Sequence, residues 1–235
     1  MGDLLGLLSF GPDGWGDEIA AGTWLTIRLA AATLPFGLAL GFVVGLARNA
    51  NAPWLSVPGN LFATVFRALP ELLTLFIVYY GGQYLVQWLV SFFTDTYVEI
   101  NAFVAGLVAL GLVFAAFASE VFLGAFRSIG RGQYEAAAAV GLTPFQAMRL
   151  VIVPQLIRYA LPGLANLWLV LLKETSLVSI IALNDLLRQT SVAVGATKEP
   201  FFFYLVACLI YLAMSIISTF GLVAIERWSE RGMKR

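Results

Sequence analysis

Five charged side chains fall within or beside long apolar stretches of this sequence: Arg28, Glu71, Glu120, Lys173 and Glu174. A charge held in hydrocarbon costs several kcal/mol unless it is paired or hydrated, so each is a candidate for carrying function. Arg28 stands near a helix end, where its long stem reaches water. Glu120 either pairs with a basic residue, with Arg67 the candidate across helices, or lines a path. Glu71 follows Pro70 and comes one turn after Arg67, so a pair at i,i+4 competes with a ligand contact. Lys173 and Glu174 interrupt an apolar stretch that Pro162 and Gly163 already disturb. A helix broken near the bilayer midplane leaves backbone ends free to hold polar ligand groups. Asn166, about two turns earlier on that stretch, is a further lining candidate.

The chain lacks the residues of most other site chemistry. It has no histidine and one cysteine, Cys208. No internal disulfide can form. Zinc sites, haem ligation by histidine, and Ser-His or Cys-His catalysis all lose their usual residue. No metal site and no catalytic residue are therefore expected. The formal net charge is zero, which argues against nucleic acid as a partner. No G-x-x-x-x-G-K-[ST] loop occurs, so the chain lacks the phosphate cradle of a P-loop ATPase.

A different kind of candidate is the stretch YEAAAAVGLTPFQAMRLVIVP, residues 134–154. Ala136 to Ala139 favour a helix and permit close backbone approach. Gly141 is placed to end that helix. Thr143 can cap the next one, with Pro144 at its first position and Gln146 closing a capping box. The expectation is a helical hairpin: helix, glycine corner, second short helix, Pro154. Phe145 and Met148 would face outward with no core of their own. That fits a docking surface for a separate protein, or an amphipathic loop resting on the bilayer.

The elements that must position these residues are spans. The chain is 60% hydrophobic and 12% charged, far more apolar than a soluble domain. Five apolar stretches, residues 23–47, 55–80, 101–126, 150–172 and 201–225, each reach the ~20 residues needed to cross hydrocarbon as a helix. Tyr84 to Phe93 is too short for a span and reads as an interfacial or irregular piece. Ser176 to Leu183 could be re-entrant. Strand alternation is absent, so the fold class is all-α integral membrane protein. The domain reading is an outer N-terminal segment, 1–22, a transmembrane domain, 23–228, with a loop at about 131–154, and a tail, 229–235. The tail and the loop after the third span are rich in Lys and Arg, while the N-terminal segment has none. The positive-inside rule then puts the N-terminus outside and the C-terminus and the 131–154 loop in the cytoplasm. No basic residue precedes Arg28, so no signal peptide is read.

The 134–154 stretch also resembles a family motif. It reads E-A-A, three residues, G, nine residues, V-I-V-P, similar to the EAA motif of ABC importer membrane subunits, with Val151 and Val153 where Ile and Leu are usual. FRALPELLTLFIVYYG, ASEVFLGAFRSIGRGQYEAA and LLKETSLVSI resemble further stretches of the same family, with Ala68 for glycine and Leu123 for arginine. RYALPGLANLWLVLLKETSLVS and the ending EPFFFYLVACLIYL…ERW resemble the polar amino-acid permeases, nearest the histidine/arginine/lysine/ornithine and opine branch. The resemblance implies a type I importer fold in the bacterial inner membrane. It implies that Glu135, Ala136, Ala137, Gly141, Thr143, Pro144, Phe145 and Pro154 belong to coupling helices seated in a groove of an ATPase subunit. It further implies that ATP with Mg²⁺ binds an ATPase dimer in separate chains, that a periplasmic binding protein delivers the substrate, and that a second permease subunit, non-identical or a copy, completes the path. The implied cargo is a basic amino acid or an opine. Other polar amino acids, of the glutamine/glutamate type, are the alternative.

Two other function classes compete. A secondary transporter working alone would want more spans and inverted repeats, and no repeat is visible. A channel or structural subunit would leave the 134–154 stretch unexplained, and no pore-ring pattern is present.

Overall fold

A computed structural model describes residues 2–94, 96–181 and 183–230. Every regular element among them is helical. A short α1 (Gly2–Gly6) leads into α2 (Gly16–Asn49), α3 (Pro53–Ala68) and α4 (Glu71–Phe76). A π turn (Ile77–Gly81) joins α4 to α5 (Gly82–Val90). Then follow α6 (Ala102–Ser128), α7 (Arg131–Ala139) and α8 (Pro144–Ala147). A second π turn (Met148–Ile152) opens into α9 (Val153–Glu174), which tightens into a 3-10 helix (Thr175–Ile181). The chain ends with α10 (Leu186–Thr197) and α11 (Pro200–Glu230). Residues 231–235 of the expected cytoplasmic tail lie outside the described residues.

Five helical runs among the described residues are long and apolar enough to cross a membrane: Gly16–Asn49, Glu71–Val90, Ala102–Ser128, Pro144–Ile181 and Pro200–Arg227. The number agrees with the sequence reading, but the second run does not. Residues 55–80 were expected to form one span. Pro70 instead adopts extended backbone at φ −59°, ψ 132° and starts a new helix. It has no N–H to give, and it biases Leu69 away from helical geometry. The apolar stretch therefore splits, and α3 stops at Ala68. Tyr84 to Val90, read as interfacial, completes the span that Glu71 begins.

Two further expectations are corrected. Pro154 does not end the short helix. The chain passes from α8 through the π turn into α9, and Pro154 sits in the first turn of α9. Widening the ladder just before a proline relieves its clash with the carbonyl four residues earlier. Nor do Pro162 and Gly163 break the span. Helix α9 runs through both, and the change of geometry comes at Thr175.

The helices distribute over two compact units, each built from three separated segments. One takes Met1–Pro35, Leu69–Gly111 and Val170–Ile217; the other takes Phe36–Ala68, Leu112–Leu169 and Ser218–Arg235. In the first unit, Gly22 lets α2 approach the chain just before α10. A Cβ there would come within 2.8 Å of the Asp185 carbonyl oxygen. Thr26 accepts the Leu186 N–H at 3.2 Å across that contact. In the second unit, Gly37, Gly41 and Gly45 present one small face of α2 to Phe114, Ala118 and Phe122 of α6. This is the small-xxx-small packing that lets membrane helices touch closely.

Candidate functional site

The first unit brings Glu71 and Glu174 together. Helix α4, begun at Pro70, packs on the 3-10 segment that follows α9. Glu71, in the first turn of α4, thereby comes beside Glu174, the last residue of α9, carboxyl toward carboxyl. Lys173 is the nearby cation. With all three ionised the group carries one unbalanced negative charge. Two carboxylates side by side favour either a shared proton or a bound cation. The Arg67–Glu71 pair, one of the two readings of Glu71, does not form, because α3 ends between the two residues and Arg67 turns to Glu120.

Glu120 belongs to the second unit and is paired with two arginines through one carboxylate oxygen. Its Oε2 accepts from Arg48 Nη2 at 2.9 Å and from Arg67 Nη1. Arg48 also donates to Ser119 Oγ at 2.9 Å and to Asn60 Oδ1 at 3.0 Å. The Arg67 guanidinium lies 5.7 Å from the Phe117 ring centre, within cation–π range. This knot ties α2, α3 and α6. Of the two readings of Glu120, the geometry realises the structural lock. Arg48 is a residue that sequence reasoning missed as a partner. Its partners Ser119 and Glu120 lie 71 and 72 residues away along the chain.

Arg28 is exposed on α2 and forms no ion pair among the described residues. Asn166 is exposed on α9 in the second unit, with no side-chain hydrogen bond among the described residues.

The 131–154 region folds as its sequence asks. Helix α7 closes on Gly141 at φ +79°, where Leu142 N–H bonds to Ala137 O at 3.1 Å and Gly141 N–H to Ala138 O at 3.0 Å. This pairing of bonds is a Schellman closure, and glycine is its favoured residue. Thr143 accepts from Gln146 N–H, and Gln146 Oε1 accepts from Thr143 N–H at 2.9 Å, completing the capping box with Pro144 at the first position. Glu135 and Ala136 are exposed, and Ala137 is buried. Phe145 is 73% exposed and Val140 74% exposed. Met148, expected to face outward, is half-buried. It lines an apolar notch of about 330 Å³ with Tyr134, Ala138, Leu142, Pro144 and Ala147. A notch flanked by exposed apolar side chains is a surface another protein can cover.

One polar group outside the spans went unforeseen. Asp185 is buried and caps α10, accepting from Arg188 N–H at 3.0 Å and Leu187 N–H at 3.4 Å. Burial pushes its carboxyl up to about 6, against the pull of those donors and of Arg188. An aspartate just before a leucine run was a readable cap signal.

The chain matches the family described as binding-protein-dependent transport system inner membrane component, over residues 37–231. It belongs to this family. It is 38% identical to the nopaline transport system permease protein NocQ of Agrobacterium fabrum, with 98% of each chain covered. It is 40% identical to the arginine ABC transporter permease protein ArtQ of Haemophilus influenzae, covering 89% of this chain and 94% of that one. Its fold superposes on the crystal structure of an amino acid ABC transporter with histidines at a TM-score of 0.77, with 30% identity, over 91% of this chain and 94% of that one. The protein is thus a transmembrane permease subunit of a binding-protein-dependent ABC importer, and a multi-pass inner-membrane protein.

Proposed function

We propose that this permease passes a cationic amino acid, or an opine built on one, and that Glu71 and Glu174 receive its positive charge. The observation that carries the reading is the meeting of two carboxyl groups inside the spans, where ionising both leaves one negative charge beyond Lys173. A guanidinium or ammonium group would balance it, and planar guanidinium can engage both carboxyls at once. Lys173 stands beside the pair, and Asn166 is an additional lining residue of the path. The similarity to nopaline and arginine permeases supports the same cargo class.

The 131–154 loop is the docking element for a separate ATPase dimer, where ATP and Mg²⁺ are bound. Glu135, Ala136, Ala137, Gly141, Thr143, Pro144, Phe145 and Pro154 form and stiffen it. Exposed Phe145, exposed Val140 and the apolar notch beneath them support this. The N-terminus is periplasmic and the C-terminus cytoplasmic, in keeping with the Lys/Arg asymmetry. A periplasmic binding protein and a second, non-identical permease subunit complete the importer.

The test is substrate-stimulated ATP hydrolysis by the reconstituted importer, over a panel of amino acids and opines. Arginine, histidine, ornithine, octopine or nopaline should stimulate. Stimulation by glutamate or glutamine in their place would reject the cationic cargo.

A further inference from the structure

A cleft of about 250 Å³ opens where α7 meets the start of α9, lined by Gln133, Gln155, Arg158 and Tyr159. Gln155 Nε2 donates to Gln133 Oε1 and to Val151 O, each at 3.0 Å. Those bonds use both of its amide hydrogens and fix the Gln133 amide by its oxygen. The Gln133 NH₂ remains unspent among the described residues. Arg158 has no ion pair and the Tyr159 hydroxyl no hydrogen bond among the described residues. The cleft therefore offers a guanidinium, an amide NH₂ and a phenol O–H as donors, beside the Gln155 Oε1 and phenol oxygens as acceptors. No carboxylate of the described residues lines it. A concave set of donors around an arginine is suited to an oxyanion.

Its depth narrows the ligand. The fourth membrane run ends at Ile181. Counted back from there, the ~20 residues that a ~30 Å hydrocarbon core needs reach Pro162. Arg158 and Tyr159 fall about one turn beyond, at headgroup level, where arginine stems snorkel and tyrosines gather. We propose that this cleft binds the phosphate of an anionic phospholipid, with Arg158 as its charge partner and Tyr159 and Gln133 as further donors. Gln133 lies on α7, two residues before Glu135, so the bound headgroup braces the base of the 131–154 loop.

The test uses the purified importer in nanodiscs of equal phosphatidylglycerol and phosphatidylcholine, with co-purifying lipid measured by native mass spectrometry. Phosphatidylglycerol should be enriched about fivefold among tightly held lipids, the factor one arginine near an anionic surface contributes. Arg158→Gln should bring the ratio close to one. Arg158→Lys, which keeps the charge and serves as the folding control, should keep part of the enrichment. A second arm adds inorganic phosphate to the mixed-lipid discs. Lipid enrichment that persists supports the lipid assignment. Enrichment displaced by phosphate, or absent while phosphate binds, assigns the cleft to a soluble anion and overturns the lipid. Enrichment unaltered in Arg158→Gln overturns the site.

Discussion

Glu120 and Glu174 are both acidic residues in apolar helices, yet their surroundings are opposite. Glu120 takes two arginines, Arg48 and Arg67, and Arg48 is itself braced by Ser119 and Asn60. Glu174 meets another carboxyl group, Glu71, with Lys173 the one cation beside it among the described residues. A charge already neutralised by two cations of the chain has no charge left to offer a ligand; it holds helices together. A pair of like charges left in a span is costly, and such a cost persists where something else supplies the balance. Charge in a membrane helix is thus a poor guide to function until its partners are known.

The largest expected effect comes from the unbalanced pair. Glu174→Gln keeps the shape and removes the charge, and transport of a cationic substrate should fall by about 30-fold or more, as for loss of one partner in a buried ion contact. Thermal stability should hold or rise, since a like-charge pair is relieved. A variant with unchanged uptake would erase the distinction from Glu120.

Asp185 is a third case, a buried acid held by backbone donors rather than side-chain cations. Its carboxyl sits at about 6 in the folded protein against an ordinary 3.8. Below pH 3.8 it is protonated in both folded and unfolded chains, and the folded state is favoured in full. As pH rises, the unfolded chain releases its proton first, so stability is lost until pH passes 6. The loss is about 3 kcal/mol. Asp185→Asn, which still caps α10, should melt higher than wild type at pH 7.5 and converge with it near pH 4. Parallel melting curves across that range would show that the acid is not penalised.

Gly141→Val takes transport away without touching either charge group. A β-branched residue at φ +79° is strained by about 1–2 kcal/mol, so the corner should deform while the spans insert normally. Uptake should collapse with ATP hydrolysis no longer answering the binding protein. Normal uptake would mean that the corner is not part of coupling.

The smallest effect is at Glu120. Its side chain is 45% exposed, so Glu120→Gln should cost about 1 kcal/mol of stability. Choice among substrates should stay as in wild type. A changed substrate preference would place Glu120 in the path and undo the contrast with Glu174.

Much of this architecture was legible in the sequence because it is local. The Thr143 cap, the Gly141 corner and the number of spans rest on neighbouring residues and on apolar length. The second span was misplaced because apolar continuity across residues 55–80 outweighed Pro70, whose effect on backbone geometry hydropathy does not register. Glycines 37, 41 and 45 carried a readable spacing for close helix contact. The pairings were not legible. Glu71 and Glu174 were each conspicuous, but nothing local says that residues so far apart meet each other. Nor does anything local assign Arg67 to Glu120 rather than to Glu71. Those choices depend on how helices register in space.

The most direct test of the account is ligand binding to the purified permease–ATPase complex without its binding protein, by calorimetry. Arginine is compared with citrulline, which has the same length and no charge. Wild type should bind arginine about tenfold or more tightly than citrulline, the margin expected of one charge-assisted contact. Glu174→Gln should bind the two alike. Equal binding by wild type, or a full preference for arginine in Glu174→Gln, would contradict the assignment of the carboxylate pair.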